Sequence, residues 1–206
     1  MARKQYEPSQ LHELLYQALE TELGGIQIYQ AAIACAVNED LRKEWQDYLD
    51  ETKTHKRVLL DVFAEFKLDP AEMTPGRRAV AHIGSALVNA IRIAKESAAP
   101  EAAQLVAAEC VVLAETKDHM NWELIGHLAT HGRGPHTAIL KKAHDLVEQE
   151  EDHHLYHTKG WTRELWIDSF GMPALLPPPE EVKKVETAIG AARAEQARDT
   201  MLSSAS

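Results

Sequence analysis

Glutamates stand where this chain should be greasy, and they do so twice in the same order. Glu22 is followed 29 residues later by Glu51-Thr-Lys-Thr-His55, and Glu115 is followed 35 residues later by Glu150-Glu-Asp-His-His154. Glu22 also precedes Tyr29 by seven residues, as Glu115 precedes Trp122. The six extra residues of the second half match the length of the loop His131-Gly-Arg-Gly-Pro-His136. Around each glutamate the apolar residues step by three and four, which keeps one helical face inward. A chain with this repeat is constrained to two helical hairpins of the same grammar.

The spacing predicts a first helix from about Gln10 to Val37, with Leu11, Leu15, Ala18, Glu22, Ile26, Tyr29 and Ile33 inward. A second runs from about Leu41 to Phe66, with Trp45, Tyr48, Glu51 or Thr52, His55, Leu59 and Val62 inward. Asp69-Pro70 and Thr74-Pro75 each join a capping residue to a proline suited to a first helical turn. The helix from about Gly76 to Ser97 carries Val80, Ile83, Leu87, Ile91 and Ala94 inward and reads as a crossover between the hairpins. The next runs from Pro100 to about Thr130 on Leu105, Ala108, Val112, Glu115, His119, Trp122 and Ile125. The last core helix spans about Thr137 to Trp166 on Leu140, Ala143, Val147, Glu150, His154, His157, Trp161 and Leu165. Residues 1–166 thus form one all-α unit, and 167–206 a Pro-rich linker plus a C-terminal helix. That helix, from about Glu180 to Met201, is expected to pack outside the bundle or on a second subunit, and Ser203 to Ser206 to be disordered.

Composition narrows the partners. Hydrophobic residues make up 45% and charged residues 26%, as in a globular chain. A net charge of -10 argues against a nucleic-acid backbone or an anionic membrane as partner. No stretch is long and apolar enough to span a bilayer, and Met1-Ala-Arg-Lys-Gln-Tyr-Glu7 lacks the apolar run of a leader, so a cytoplasmic location is expected. Cys35 and Cys110 form no Cys-x-x-Cys pair and read as buried small hydrophobes.

A buried ionised carboxylate without a partner is very costly, and four on the inner faces of one bundle also repel each other. Lysines are few on the inner stripes, so a central cation is the economical solution. One Glu from each of two helices, with a Glu and a His one turn on from each of the other two, is what a di-metal site needs. Carboxylate oxygen with imidazole nitrogen suits iron or manganese and accommodates zinc. A single Glu-x-x-x-His carries little weight, since with 32 acids and 11 histidines roughly one or two arise by chance. The repeat is what gives it force.

On these residues, over about 10–166, the chain resembles the ferritin-like superfamily and, within it, the rubrerythrin-like di-iron carboxylate proteins. The resemblance implies a ferritin-like antiparallel four-helix bundle with a long crossover helix, holding two iron ions, with manganese or zinc as alternatives. By it Glu51 and Glu150 bridge the metals, Glu22 and Glu115 are terminal carboxylates, and His55 and His154 are the nitrogen ligands. Thr52 stands where the family often has an acid three residues before its histidine, and Glu151 at that shorter spacing from His154 is the alternate to Glu150. There is no rubredoxin-like four-cysteine module. Where the family carries a further carboxylate one turn past the third-helix Glu, the inward residue is read as His119, a seventh ligand or a donor to one. The implied activity is that of an oxidoreductase acting on peroxide, oxygen or ferrous iron, a peroxidase or ferroxidase, served by an electron-donor protein. The competing readings are a non-catalytic metal-binding, storage or stress-response protein, and a bundle whose acids and histidines simply pair. A homodimer is compatible with the tail. His157 reads either as a residue orienting a ligand or as ordinary core, His153 as surface, and Tyr29, Tyr48 and Trp122 as packing.

Overall fold

The computed structural model describes residues 6–205; the first five residues, on which the leader reading largely rests, lie outside that range. Among the described residues there are nine helices and no strand, so the chain is all-α. They are α1 (Pro8–Ile33), α2 (Glu39–Phe66), α3 (Pro75–Ser97), α4 (Pro100–His131), α5 (Thr137–Asp145), α6 (Glu148–Ser169), α7 (Pro179–Val182), α8 (Ala188–Gln196) and α9 (Arg198–Ala205). Proline opens α1, α3, α4 and α7, where its missing N–H is not needed. Asn38 caps α2 by accepting from the amides of Asp40 and Leu41, both at 3.0 Å. Thr74 caps α3 through the Arg77 amide at 3.2 Å. Lys67, at φ 54°, ends α2 in the left-handed region. No helix among the described residues is long and apolar enough to cross a membrane.

Side-chain pairs give the helix directions. Tyr16 meets Phe63 and Tyr29 meets Tyr48, so α1 and α2 run antiparallel. Asn121 donates to Thr21, and Gln104 accepts from the amides of Val37 and Asn38, which makes α4 antiparallel to α1. His119 pairs with Asp152 and Trp166 with Glu109, so α6 is antiparallel to α4. Tyr48 pairs with His157 and His55 with Glu150, so α6 also runs against α2. Arg77 reaches Glu20, and Gly84 faces Gly24, so α3 runs alongside α1 in the same direction. It carries the chain back so that α4 can start where α2 started.

Burial divides the interior into two apolar clusters. One gathers Ile28, Tyr29, Leu41, Trp45, Val111 and Trp161. The other gathers Leu11, Leu15, Leu59, Phe63, Trp122, Ile125 and Leu140. Cys35 and Cys110 are buried and unpaired, and burial pushes the Cys110 thiol up to about 11. Between the clusters lies a polar layer.

Several expectations need correction. The helix expected without interruption from Thr137 to Trp166 is broken at Leu146–Val147, where both amides turn back only three residues, to Ala143 and His144. Ile83 on α3 is exposed rather than inward, because α3 covers α1 and α4 from outside. The single C-terminal helix is three short ones, the last of them α9; Ser206 lies outside the described residues. The tail packs on its own chain's α6: Arg163 holds Glu180 at 2.7 and 2.9 Å, and Arg198 Nε donates to Glu164 at 2.8 Å.

Candidate metal centre

The polar layer is built by six side chains, each no more than 4% exposed: Glu22 from α1, His55 from α2, Glu115 and Asp118 from α4, and Glu151 and His154 from α6. Each sits on the inward stripe of its helix, with greasy residues one or two turns above and below. Donor atoms of His55, Glu151 and His154 lie within 4.8 Å of one another, as do those of Glu22, Asp118 and Glu151. The two triads share Glu151.

Most of the inward atoms have no hydrogen-bond partner: Glu22 Oε2, His55 Nδ1, Glu115 Oε2, Asp118 Oδ1 and both oxygens of Glu151. His55 Nδ1 and Glu151 Oε1 are 2.8 Å apart without hydrogen-bond alignment, and His154 Nδ1 lies 3.5 Å from Glu115 Oε2. Folded proteins leave few buried polar atoms unsatisfied, so a cluster of them needs a cause.

Outer atoms hold the ring. His55 Nε2 contacts Glu150 at 2.6 Å and His154 Nε2 contacts Glu51 at 2.8 Å. An imidazole tied at Nε2 in this way keeps Nδ1 directed inward. Trp122 Nε1 donates to Glu22 Oε1 at 3.0 Å, and the Tyr48 ring lies 4.3 Å from that of His154.

The electrostatics are those of crowded acids. Burial, then the charges of Asp118 and Glu151, hold the Glu22 carboxyl well above its ordinary range. Burial, then Glu151 and Glu115, do the same to Asp118. Burial opposes charge on His154, but its contacts with Glu115 and Glu51 outweigh it and hold the ring well above its usual value. His55 is likewise raised against burial by Glu150 and Glu151, while His55 draws Glu150 down.

Of the residues read from sequence, the structure brings Glu22, His55, Glu115, His154 and the alternate Glu151 together. It does not bring in three others. Glu51 and Glu150 lie at the rim, their side chains 35% and 40% exposed, because Thr52 and Glu151 take the inward positions. His119 points to Asp152 and Glu123, and Asp118 takes the place one turn past Glu115 that was read as His119. Asp118 was missed, although its spacing of three from Glu115 was visible. Tyr29 and Trp122 are packed in the core as read, with Trp122 also holding Glu22.

One turn beyond His154 lies a second cluster. His157 Nδ1 is 2.9 Å from Glu181 and 3.6 Å from Glu44, and Tyr48 donates to Glu44 at 2.5 Å. Trp161 also donates to Glu44. Burial raises Glu44 to about 7, and His157, against burial, is held by Glu181 and Glu44 at about 9. Tyr48 and Trp161 supply donors to Glu44, while Glu181 Oε2 has no hydrogen-bond partner, and the donor atoms of Glu44, His157 and Glu181 also lie within 4.8 Å of one another. Glu181 could not be placed from sequence, since it arrives from the tail.

Comparison of the chain with models of protein families, with curated proteins and with solved structures finds no match.

Proposed function

We propose that the chain is a ferritin-like, rubrerythrin-like di-metal carboxylate protein, its four-helix bundle formed by α1, α2, α4 and α6 with α3 as the crossover. The observation that carries this reading is the set of buried oxygens and nitrogens on Glu22, His55, Glu115, Asp118 and Glu151 that face one another without partners. The donor set fits two ions. Two triads share Glu151, so Glu151 with His55 and His154 would hold one ion and Glu151 with Glu22 and Asp118 the other. Four carboxylates match two divalent cations in charge, and oxygen with two imidazole nitrogens suits iron first, with manganese or zinc as alternatives.

Bound iron would supply electron-transfer chemistry toward oxygen or peroxide. The chain's own residues do the rest. Glu51 and Glu150 hold the imidazoles with Nδ1 inward, Trp122 orients Glu22, and the two apolar clusters flank the polar layer on either side along the bundle. The activity is then that of an oxidoreductase acting on peroxide, oxygen or ferrous iron, with reducing equivalents from a separate donor. The asymmetry of the donors favours one second reading. On α2 Thr52 fills the inward place before His55, so that helix offers only an imidazole, as a protein that holds metal without turnover could tolerate.

The test is metal content after purification without chelator, with anomalous scattering at the iron and manganese edges, followed by peroxide consumption by the reduced protein. Two ions and turnover support the enzyme. Two ions without turnover support holding. A centre that takes up no metal ends both readings.

A further inference from the structure

Beside the centre, where α5 breaks from α6, there is a cavity of about 240 Å³ open to solvent on one side. Its acids are Glu123 from α4 and Glu148, Glu151 and Asp152 from α6; its imidazoles are His119 and His144. Among the described residues no Lys or Arg lines it. His119 Nε2 is 2.8 Å from Asp152 Oδ1 and its Nδ1 is 3.8 Å from Glu123 Oε2. Across the cavity His144 Nδ1 lies 3.5 Å from Glu148 Oε2. Gly126 makes room for that second pair: a Cβ there would meet His144 Nε2 at 2.2 Å.

Glu151 connects this cavity to the centre. It lines the cavity, is 1% exposed, and neither of its oxygens has a hydrogen-bond partner. The two rim carboxylates, Glu51 and Glu150, do not line this cavity and are each hydrogen-bonded to an imidazole.

We propose that this cavity is a loading chamber that takes a hydrated divalent cation from solvent and passes it to Glu151; the proposal rests on the di-metal reading above. Four carboxylates without a Lys or Arg make a negative field that concentrates cations and repels anions. The volume suits a cation that still carries water: six waters at about 30 Å³ each occupy about 180 Å³. Oxygen and imidazole donors on opposite walls replace that water stepwise, and the inner carboxylates complete the exchange. The chamber's acids other than Glu151 lie outside the centre, so they set how fast metal arrives rather than how much is held.

The experiment mixes metal-free protein with Co(II) or Mn(II) at low concentration and follows loading by stopped flow, then counts ions bound at equilibrium. The variants are Glu123→Gln with Asp152→Asn, and separately Glu148→Gln, whose parent side chain is 61% exposed and leaves packing untouched. The expected result is a loading rate at least tenfold slower for the double variant and several-fold slower for Glu148→Gln, with two ions per chain still bound. Wild-type loading rates in both, at two ions per chain, overturn the chamber and leave the centre standing. Failure of the wild type to take up any metal overturns the di-metal reading and the chamber with it.

Discussion

Glu51 on α2 braces His154 on α6 at 2.8 Å, and the repeat is completed in reverse by Glu150 on α6 bracing His55 on α2 at 2.6 Å. Each Glu-x-x-x-His segment therefore supports the other helix's imidazole rather than its own. The sequence repeat is real in space, but its glutamates act on the ring rather than pointing into the centre. This changes the expected effect of mutation. Glu51→Gln and Glu150→Gln should weaken metal binding by about 10- to 100-fold while leaving two sites. Glu151→Gln, at the shared position, should lose at least one ion per chain. Chelator competition with metal counting distinguishes these, and equal loss of sites in Glu150→Gln and Glu151→Gln would refute the assignment.

The metal-free protein should be destabilised by rising pH. Glu22 and Asp118 are raised in the folded state, so the folded chain holds protons that the unfolded chain releases. His55 and His154 are raised as well, so their contribution is present below the ordinary histidine value and lost as pH rises through the folded one. All four act in one direction, and before mutual coupling each tenfold gain in proton affinity on folding is worth about 1.4 kcal/mol. Glu22→Gln removes one of the four and should flatten the decline in Tm as pH rises above the ordinary carboxylate value. A divalent metal displaces the same protons, so its stabilisation should grow over that range. A metal-free Tm slope identical in wild type and Glu22→Gln argues against the crowded centre.

The parts legible in the sequence were those fixed by local periodicity. Helix starts near Gly76 and at Pro100 and the inward placement of Glu22, His55, Glu115 and His154 follow from spacing and breakers. Choices between neighbouring residues were not legible. Glu150 and Glu151 differ by one helical step of about 100°, and both fit the stripe from Val147 within the width of an apolar face. Which one turns in depends on packing across the break at Leu146–Val147, which no local propensity signals. Asp118 and His119 pose the same problem on α4. Glu181 was beyond reach because its place beside His157 depends on where a tail of three short helices folds back.

The cluster of His157, Glu44 and Glu181 predicts a second, separate pH dependence. His157 sits at about 9 against an ordinary value of 6.5, because Glu181 and Glu44 overcome burial. Its stabilisation is full below pH 6.5 and is lost as pH rises through 9. Glu44, raised by burial from 4.5 to about 7, adds a loss between those values, whereas Glu181 is lowered, so its stabilisation is present above the ordinary carboxylate value and is lost as pH falls through the folded one. The His157 contribution is on the order of 2 kcal/mol, after discount for its sharing of charge with the two acids. His157→Gln should lower Tm at pH 6.5 and flatten the fall between pH 6.5 and 9. An unchanged slope would show that the tail is not held by this imidazolium.

Gly160 offers a test of the tail's docking in which two effects compete. On helix geometry alone Gly160→Ala should stabilise α6 by about 1 kcal/mol. A Cβ at that position would meet Glu180 Oε2 at 2.5 Å and Pro178 Cβ at 3.1 Å. Neither neighbour can give easily, since Arg163 grips both oxygens of Glu180 and the proline ring is rigid. Overpacking of this kind costs about 1–3 kcal/mol, so the clash should win and the tail should lift from α6. The expected outcome is a lower Tm and faster proteolysis at Lys183 and Lys184, with the far-UV helical signal little changed. A rise in Tm would mean that the close approach of α7 to α6 is not maintained in solution.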